Sequence, residues 1–367
     1  MSEESYKKCK KEIKALRLNR KEIKALRLNR KEIKALRLNS GDKIRAVIEH
    51  RRKFAVFPIV CADHCAYLLN KNFKDIATDG SKLAEVLEYG YRLYNYDMVL
   101  VFSDPYIEAE AMCCGLEYSP YPKLISGKGR GLKNGMEIKA LRLNREEIKA
   151  LRLNSRDRTK EIINAAKILK KNLEIPIFVS IKGPFTLASF LYGTEDFLKV
   201  ILNNEMLAQN VIDTATNFQL AYLKKLLKIP VHIFIGDPMA SSSVISPHIF
   251  EKFACEPLKI LIKQIKSAGM IAGIHICGDT KPIINIIDNL NADILSIEDI
   301  TVKTKTLKMG GVSTLTLLNG DKTKIKKEIG SALKEDFLIL STSCDVAVHT
   351  PVENVKTMVE IARQYED

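Results

Sequence analysis

The chain has 367 residues, 46% apolar and 28% charged, which suits one large α/β domain or two smaller ones and not a fibrous or disordered chain. No stretch approaches ~18 uninterrupted apolar residues, and the N-terminal run Met1-Ser-Glu-Glu-Ser-Tyr-Lys-Lys-Cys9 has no apolar core, so neither a membrane span nor a signal peptide is expected. Eight cysteines, two of them adjacent at Cys113 and Cys114, do not read as a disulfide framework, and the expected setting is cytoplasmic with reduced thiols.

A net charge of +14 points to nucleic acid only until it is located. The octapeptide Glu-Ile-Lys-Ala-Leu-Arg-Leu-Asn occurs five times, three copies within 11–40 and two within 136–155, at a period of ten. Those 50 residues carry +10, and the other 317 carry only +4. The body of the chain has no basic stripe of the kind a nucleic-acid groove needs. Ten helical residues advance about 1000°, so successive copies are rotated by about 80° and cannot build a coiled-coil seam. Ten residues are also too few for a leucine-rich unit. The repeats read as copied insertions, with an interaction or regulatory element as the alternative. The expected organisation is therefore an N-terminal extension over 1–40 and one catalytic domain over 41–367, interrupted at 136–155.

From residue 55 onward, β-like and helix-like segments alternate. The predicted strands are 55–60, 98–102, 175–181, 231–236, 270–277, 292–297, 311–315 and 337–341. Amphipathic stretches lie between them at 80–94, 159–172, 195–227, 248–268, 281–289, 322–333 and 352–364. Eight apolar runs with helical connections predict a closed (β/α)8 TIM barrel, with the repeats as insertions.

The fifth run ends in Gly269-Met-Ile-Ala-Gly-Ile-His275-Ile-Cys277, and the eighth in Phe337-Leu-Ile-Leu-Ser-Thr-Ser-Cys344. Side chains two apart on a strand share a face, so His275 and Cys277 converge, and Cys344 can complete a set of one nitrogen and two sulfurs. Such a set suits Zn²⁺ with a fourth position open for chemistry. The alternative is a strand histidine with two cysteines packed as small apolar residues. A barrel collects all three at the C-terminal rim, with Asp237 and Glu298 ending the fourth and sixth runs, and this favours the metal. The two carboxylates are candidate catalytic residues, to orient ligands, fill the open position or accept a thiol proton. Each could instead be a strand-end carboxylate capping the next helix.

Several segments carry a family pattern. They are Gly236-Asp-Pro-Met-Ala-Ser with Ile245-Ser-Pro, Phe250-Glu-Lys-Phe and Pro257, then His275-Ile-Cys-Gly-Asp-Thr280, then Leu340-Ser-Thr-Ser-Cys344-Asp with Thr350-Pro-Val-Glu-Asn354. With Gly183-Pro-Phe-Thr-Leu-Ala188 and Glu108-Ala-Glu-Ala111, they resemble the uroporphyrinogen decarboxylase superfamily, on the branch of corrinoid-dependent methyltransferases that act on coenzyme M. The resemblance implies a barrel that binds Zn²⁺ through His275, Cys277 and Cys344. It also implies a small thiol acceptor at the open position, and a methylated corrinoid such as methylcobalamin, usually carried by a partner corrinoid protein. A free aliphatic thiol with a pKa near ~8.5 is scarcely ionised at neutral pH, and a bound cation makes it a nucleophile.

The chain departs from that pattern at Gly311, where relatives commonly carry Asn. Cys61-Ala-Asp-His64-Cys65 has ligand-like spacing but no fourth ligand, and reads as packing at the barrel mouth. His349 reads as a loop residue, and Cys113, Cys114 and Cys255 as ordinary thiols. The decarboxylase alternative needs a cationic pocket, yet the stretch after the first strand, Phe57 to Tyr67, contains no Arg or Lys. The other alternative is a non-enzymatic corrinoid- or metal-binding protein. No nucleic-acid or membrane partner is expected.

Overall fold

The structure is a computed structural model that describes residues 54–112, 114–125 and 157–365, together with Ile44 and Val47. Both repeat blocks, 11–40 and 136–155, and the proposed 1–40 extension lie outside the described residues. The main sheet has eight strands: β1 (Ala55–Phe57), β2 (Val99–Val101), β5 (Ile177–Lys182), β6 (His232–Gly236), β7 (Ala272–His275), β8 (Ile294–Ile297), β9 (Leu307–Val312) and β10 (Phe337–Thr342). Between β2 and β5 a short antiparallel pair forms from β3 (Leu116–Tyr118) and β4 (Pro122–Leu124).

Every pairing in the main sheet is parallel, and the order runs β1-β10-β9-β8-β7-β6-β5-β2. These strands are apolar on both faces because helices cover one side and the barrel interior lies on the other. Phe178 and Phe234 meet inside with ring centroids 6.2 Å apart, filling the interior as a packed core. The ladder is continuous from β2 round to β1, and the two ends meet at Asp97. Its N–H donates to Val56 O at 2.9 Å, and its Oδ2 accepts the Val56 N–H at 2.8 Å. Arg363, the last residue of the helix Val352–Arg363, clamps both Asp97 oxygens at 2.8 Å. The C-terminal helix thus locks the seam of a (β/α)8 barrel.

The helices follow local signals. Asp79 caps Gly80–Tyr94 through the N–H groups of Ser81 and Lys82, and Pro184 opens Pro184–Tyr192, where its missing N–H costs nothing. The amphipathic stretch 195–227 is not one helix. It divides into Thr194–Asn203 and Glu205–Leu226 at Asn204, whose non-helical backbone and side-chain cap on Leu207 start the second helix. The seventh strand also differs from expectation, running over Leu307–Val312 and not 311–315, with Thr314 already in the helix Thr314–Asn319. The Gly310-Gly311 pair hid it from a reading by β propensity. Gly311 has φ +111°, and a Cβ there would stand 2.4 Å from Ala332 Cβ, so an asparagine does not fit this backbone.

Just after the second repeat block the chain returns to the barrel at Arg158. This buried side chain donates to Asp104 at 2.6 Å, to Glu110, and to Ala77 O at 3.4 Å. A guanidinium held by two carboxylates fixes where the helix Thr159–Asn172 begins, whatever length of chain precedes it.

Candidate metal centre

His275 is the last residue of β7, and Cys277 follows one buried isoleucine later. His275 Nε2 lies 3.1 Å from Cys277 Sγ, and Nδ1 lies 3.0 Å from Ser296 Oγ on the neighbouring strand. The hydrogen bond between Nδ1 and Ser296 Oγ holds the ring with Nε2 turned to the sulfur, as outer partners of metal-binding histidines do. The chain then turns at Gly278, with φ +71°, and the Gly278 N–H donates to Glu298 Oε1 at 2.7 Å. Glu298 therefore braces the turn that carries Cys277.

Cys344 comes from the loop after β10. Ser343 N–H bonds Val312 O at 2.8 Å, Val346 N–H bonds Ile59 O at 2.8 Å, and the Cys344 thiol points to Asp345 Oδ1 at 2.9 Å. Buried His64 holds the far end of that loop. Val348 O can only accept, so Nδ1–H of His64 donates to it at 3.0 Å, and Nε2 accepts the Tyr94 hydroxyl at 2.7 Å. Both ring nitrogens are engaged and burial holds the imidazole below its ordinary pKa, so the group at 61–65 is packing that supports the Cys344 loop.

The ligand atoms of His275, Cys277 and Cys344 lie within 4.8 Å of one another, each residue half-buried. Tetrahedral Zn²⁺ places sulfur and nitrogen ligands about 3.6 Å apart, so this donor set fits the ion, and three donors leave one position open. The Cys344 thiol beside it holds Cys277 below its ordinary pKa, against burial, and the same contact together with burial pushes Cys344 well up. A cation bound to the sulfurs would displace the thiol protons.

Asp237 is fully buried one strand away. Its Oδ1 accepts the Thr186 N–H at 2.7 Å and the Thr186 hydroxyl at 2.6 Å, while Oδ2 has no hydrogen-bond partner among the described residues. Thr186 stands in the first turn of Pro184–Tyr192, where Gly183 supplies no cap of its own. The Asp237 carboxylate therefore caps that helix from another strand. A Cβ on Gly183 would come within 2.1 Å of the carboxyl carbon, which is why glycine stands there. Burial pushes the Asp237 carboxyl up to about 6, against the Thr186 hydrogen bonds.

The three ligands expected from the sequence come together, Glu298 lies against the Cys277 turn, and Asp237 faces Thr186. Two residues at the site escaped the sequence reading. Ser296 sits two before Glu298 on the same face of β8, so the period of two could have found it. Lys182 ends β5, one residue past the predicted strand. It is 7% exposed, with Nζ 4.8 Å from the Phe102 ring centroid.

The sequence model of uroporphyrinogen decarboxylase (URO-D) matches residues 50–365. The chain belongs to this family. Within it the chain stands on the corrinoid methyltransferase branch as an enzyme. The methylcobamide:CoM methyltransferase MtbA of Methanosarcina acetivorans is 28% identical over 301 residues, covering 78% of this chain and 85% of the relative. The uroporphyrinogen decarboxylase of Thermodesulfovibrio yellowstonii is 26% identical over 301 residues, covering 77% and 83%. A solved methyltransferase from Methanosarcina mazei superposes with a TM-score of 0.73 at 22% identity, covering 88% of this chain and 98% of the other, so it shares the barrel. No helix among the described residues is long and apolar enough to cross a membrane.

Proposed function

We propose that this enzyme moves a methyl group from a methylated corrinoid, carried by a partner protein, to a small thiol. The observation that carries the reading is the meeting of His275, Cys277 and Cys344 on one rim of the barrel. It is supported by the similarity to methylcobamide:CoM methyltransferases. These three residues would hold Zn²⁺, which supplies Lewis acidity that keeps an acceptor thiol ionised at neutral pH.

The chain's own residues prepare that site. Two thiolate donors neutralise the ion's charge and preserve the nucleophilicity of an acceptor sulfur. Ser296 fixes the imidazole, and the His64 and Ile59 contacts fix the Cys344 loop. Glu298, exposed beside the Cys277 turn, takes the acceptor's proton and passes it to solvent. Asp237 holds the start of the Pro184–Tyr192 helix through Thr186. The acceptor sulfur gains the methyl group as the cobalt–carbon bond breaks, and the bonding electron pair stays with cobalt.

Protein prepared with and without zinc, mixed with methylcobalamin and a small thiol, tests this. Thiol-dependent loss of the methylcobalamin absorbance is expected only with zinc, and Cys344→Ala should abolish it while the barrel stays folded. Zinc-loaded protein that shows no such loss with any small thiol would overturn the proposal. Consumption of uroporphyrinogen instead would support decarboxylation, which the absence of Arg and Lys from 57–67 disfavours.

A further inference from the structure

The N-terminal ends of β8, β9 and β10 surround a recess of about 450 Å³, on the barrel face opposite His275, Cys277 and Cys344. Its walls come from the segment 291–293 before β8, the segment 303–306 before β9, and the first residues of β9 and β10. Lys266, near the end of the helix Cys255–Ser267, completes them. Along β9, Lys308 stands four residues before Val312, whose carbonyl holds the Cys344 loop. About 13 Å of strand therefore separates the recess from the rim. Asp288 fixes the segment 303–306. Its Oδ2 accepts the Lys305 N–H at 3.0 Å, and its Oδ1 accepts the Thr304 hydroxyl, the Thr306 N–H at 3.2 Å and the Thr306 hydroxyl at 2.9 Å. That wall is set without help from a ligand.

Four lysines line the recess against two aspartates: Lys266, Lys303, Lys305 and Lys308 against Asp293 and Asp336. Lys266 is paired with Asp293 at 2.9 Å, and Lys303 with Glu335. Among the described residues, no carboxylate stands within ion-pair distance of Lys305 or Lys308. Lys308 is the unusual member. It is 6% exposed, its Nζ has a single acceptor, Val302 O at 3.4 Å, and the Phe337 ring centroid lies 4.7 Å away. An ammonium offers three donors, so most of its capacity is unused. Burial draws its pKa down, Glu335 opposes this through space, and Lys303 adds to it. Burying an ammonium is costly unless an anion meets it, and an anion in the recess would offset that cost.

We propose that this recess binds the phosphate group of a small phosphorylated molecule, with Lys308 and Lys305 as its contacts. Lysine binds phosphate as a point charge. A phosphate monoester carries about −1.5 to −2 at neutral pH, which matches two unpaired ammonium groups where a monocarboxylate would match one. The volume lies in the range of small-molecule sites, roughly 300–1,000 Å³, and leaves room for an organic body beside the phosphate. Residues 1–53 hold more Lys and Arg than Asp and Glu, so their charge does not complement this recess. The site stands apart from the methyl-transfer chemistry and does not depend on that reading.

Calorimetric titration of the full chain with glycerol 3-phosphate, inorganic phosphate and uncharged glycerol, at matched ionic strength, tests the proposal. Glycerol 3-phosphate should bind with a dissociation constant of about 1 mM or tighter, and glycerol should not bind. Tighter binding of the ester than of inorganic phosphate identifies an organic ligand, and equal binding identifies free phosphate. Both results support the site. Lys308→Met keeps most of the side-chain volume and removes the charge. It should weaken phosphate binding about tenfold or more, the scale of a charge-assisted hydrogen bond. Lys305→Met, at an exposed position, should weaken it by roughly threefold, as expected for a partly screened charge. This variant supplies the test if Lys308→Met fails to fold. Absence of binding by both phosphates, or binding that either folded variant leaves unchanged, overturns the inference.

Discussion

His275 Nδ1 lies 3.0 Å from Ser296 Oγ, and this contact turns Nε2 toward Cys277. Ser296 is fully buried in β8 and cannot be replaced there by water without a cavity. Ser296→Ala should lower zinc affinity by about 10- to 100-fold, the usual effect of removing an outer partner. Competition with a chromophoric chelator measures it. Wild-type affinity in the variant would show that the ring is oriented by something else.

The Tyr94 hydroxyl donates to His64 Nε2 at 2.7 Å, joining the helices Ala62–Leu68 and Gly80–Tyr94. Tyr94→Phe leaves that nitrogen without its donor and should cost about 1–3 kcal/mol of stability. Urea denaturation reads the loss. Because His64 holds Val348 and the Cys344 loop, the same variant should release zinc faster to a chelator. A stability loss with unchanged release would confine His64 to the core.

Asp237 titrates in a window set by its burial. Its carboxyl stands at about 6 in the folded protein, above the ordinary 3.8, so the neutral form is favoured by folding. That stabilisation is fully present below about pH 4 and is lost as pH rises through about 6, a change on the order of 3 kcal/mol. In the metal-free protein, Asp237→Asn should flatten this part of the profile. The expected signature is a wild-type minus variant difference that grows less favourable from pH 4 to pH 7, read by denaturation in the presence of a chelator. Parallel profiles would assign the pH dependence to other groups, among them Asp63, which burial also pushes up to about 6.

Arg363 closes the barrel seam through two 2.8 Å contacts with Asp97, itself 2% exposed. Arg363→Met removes the charge and leaves a buried carboxylate facing Val56. It should destabilise the protein by about 3–5 kcal/mol at neutral pH, with the first hydrogen-exchange losses in 54–60 and 95–101. Uniform loss across all strands would show that the seam opens only with the whole barrel.

Much of the architecture was legible because parallel barrel strands are buried on both faces and so appear as short apolar runs. All eight appeared, and only the Gly310-Gly311 strand was displaced, since glycine carries no β signal. Asn204 was likewise missed because it interrupts two helices without changing the apolar pattern around it. The candidate metal ligands were legible for a different reason. His275 and Cys277 obey the period of two, and Cys344 ends its own run.

The sequence by itself determined the candidate donor set of His275, Cys277 and Cys344, the strand count and the rim on which those residues gather, because each depends on residue type and local spacing. Tertiary structure alone decided how that rim is held. Asp97 and Arg363 are separated by 266 positions and His64 and Val348 by 284, and no local period encodes such pairs. The same holds for Lys182, Gly236 and His275. Three residues from three strands become a row only when hydrogen-bond register aligns them. That alignment puts a lysine at a strand end in the same row as His275.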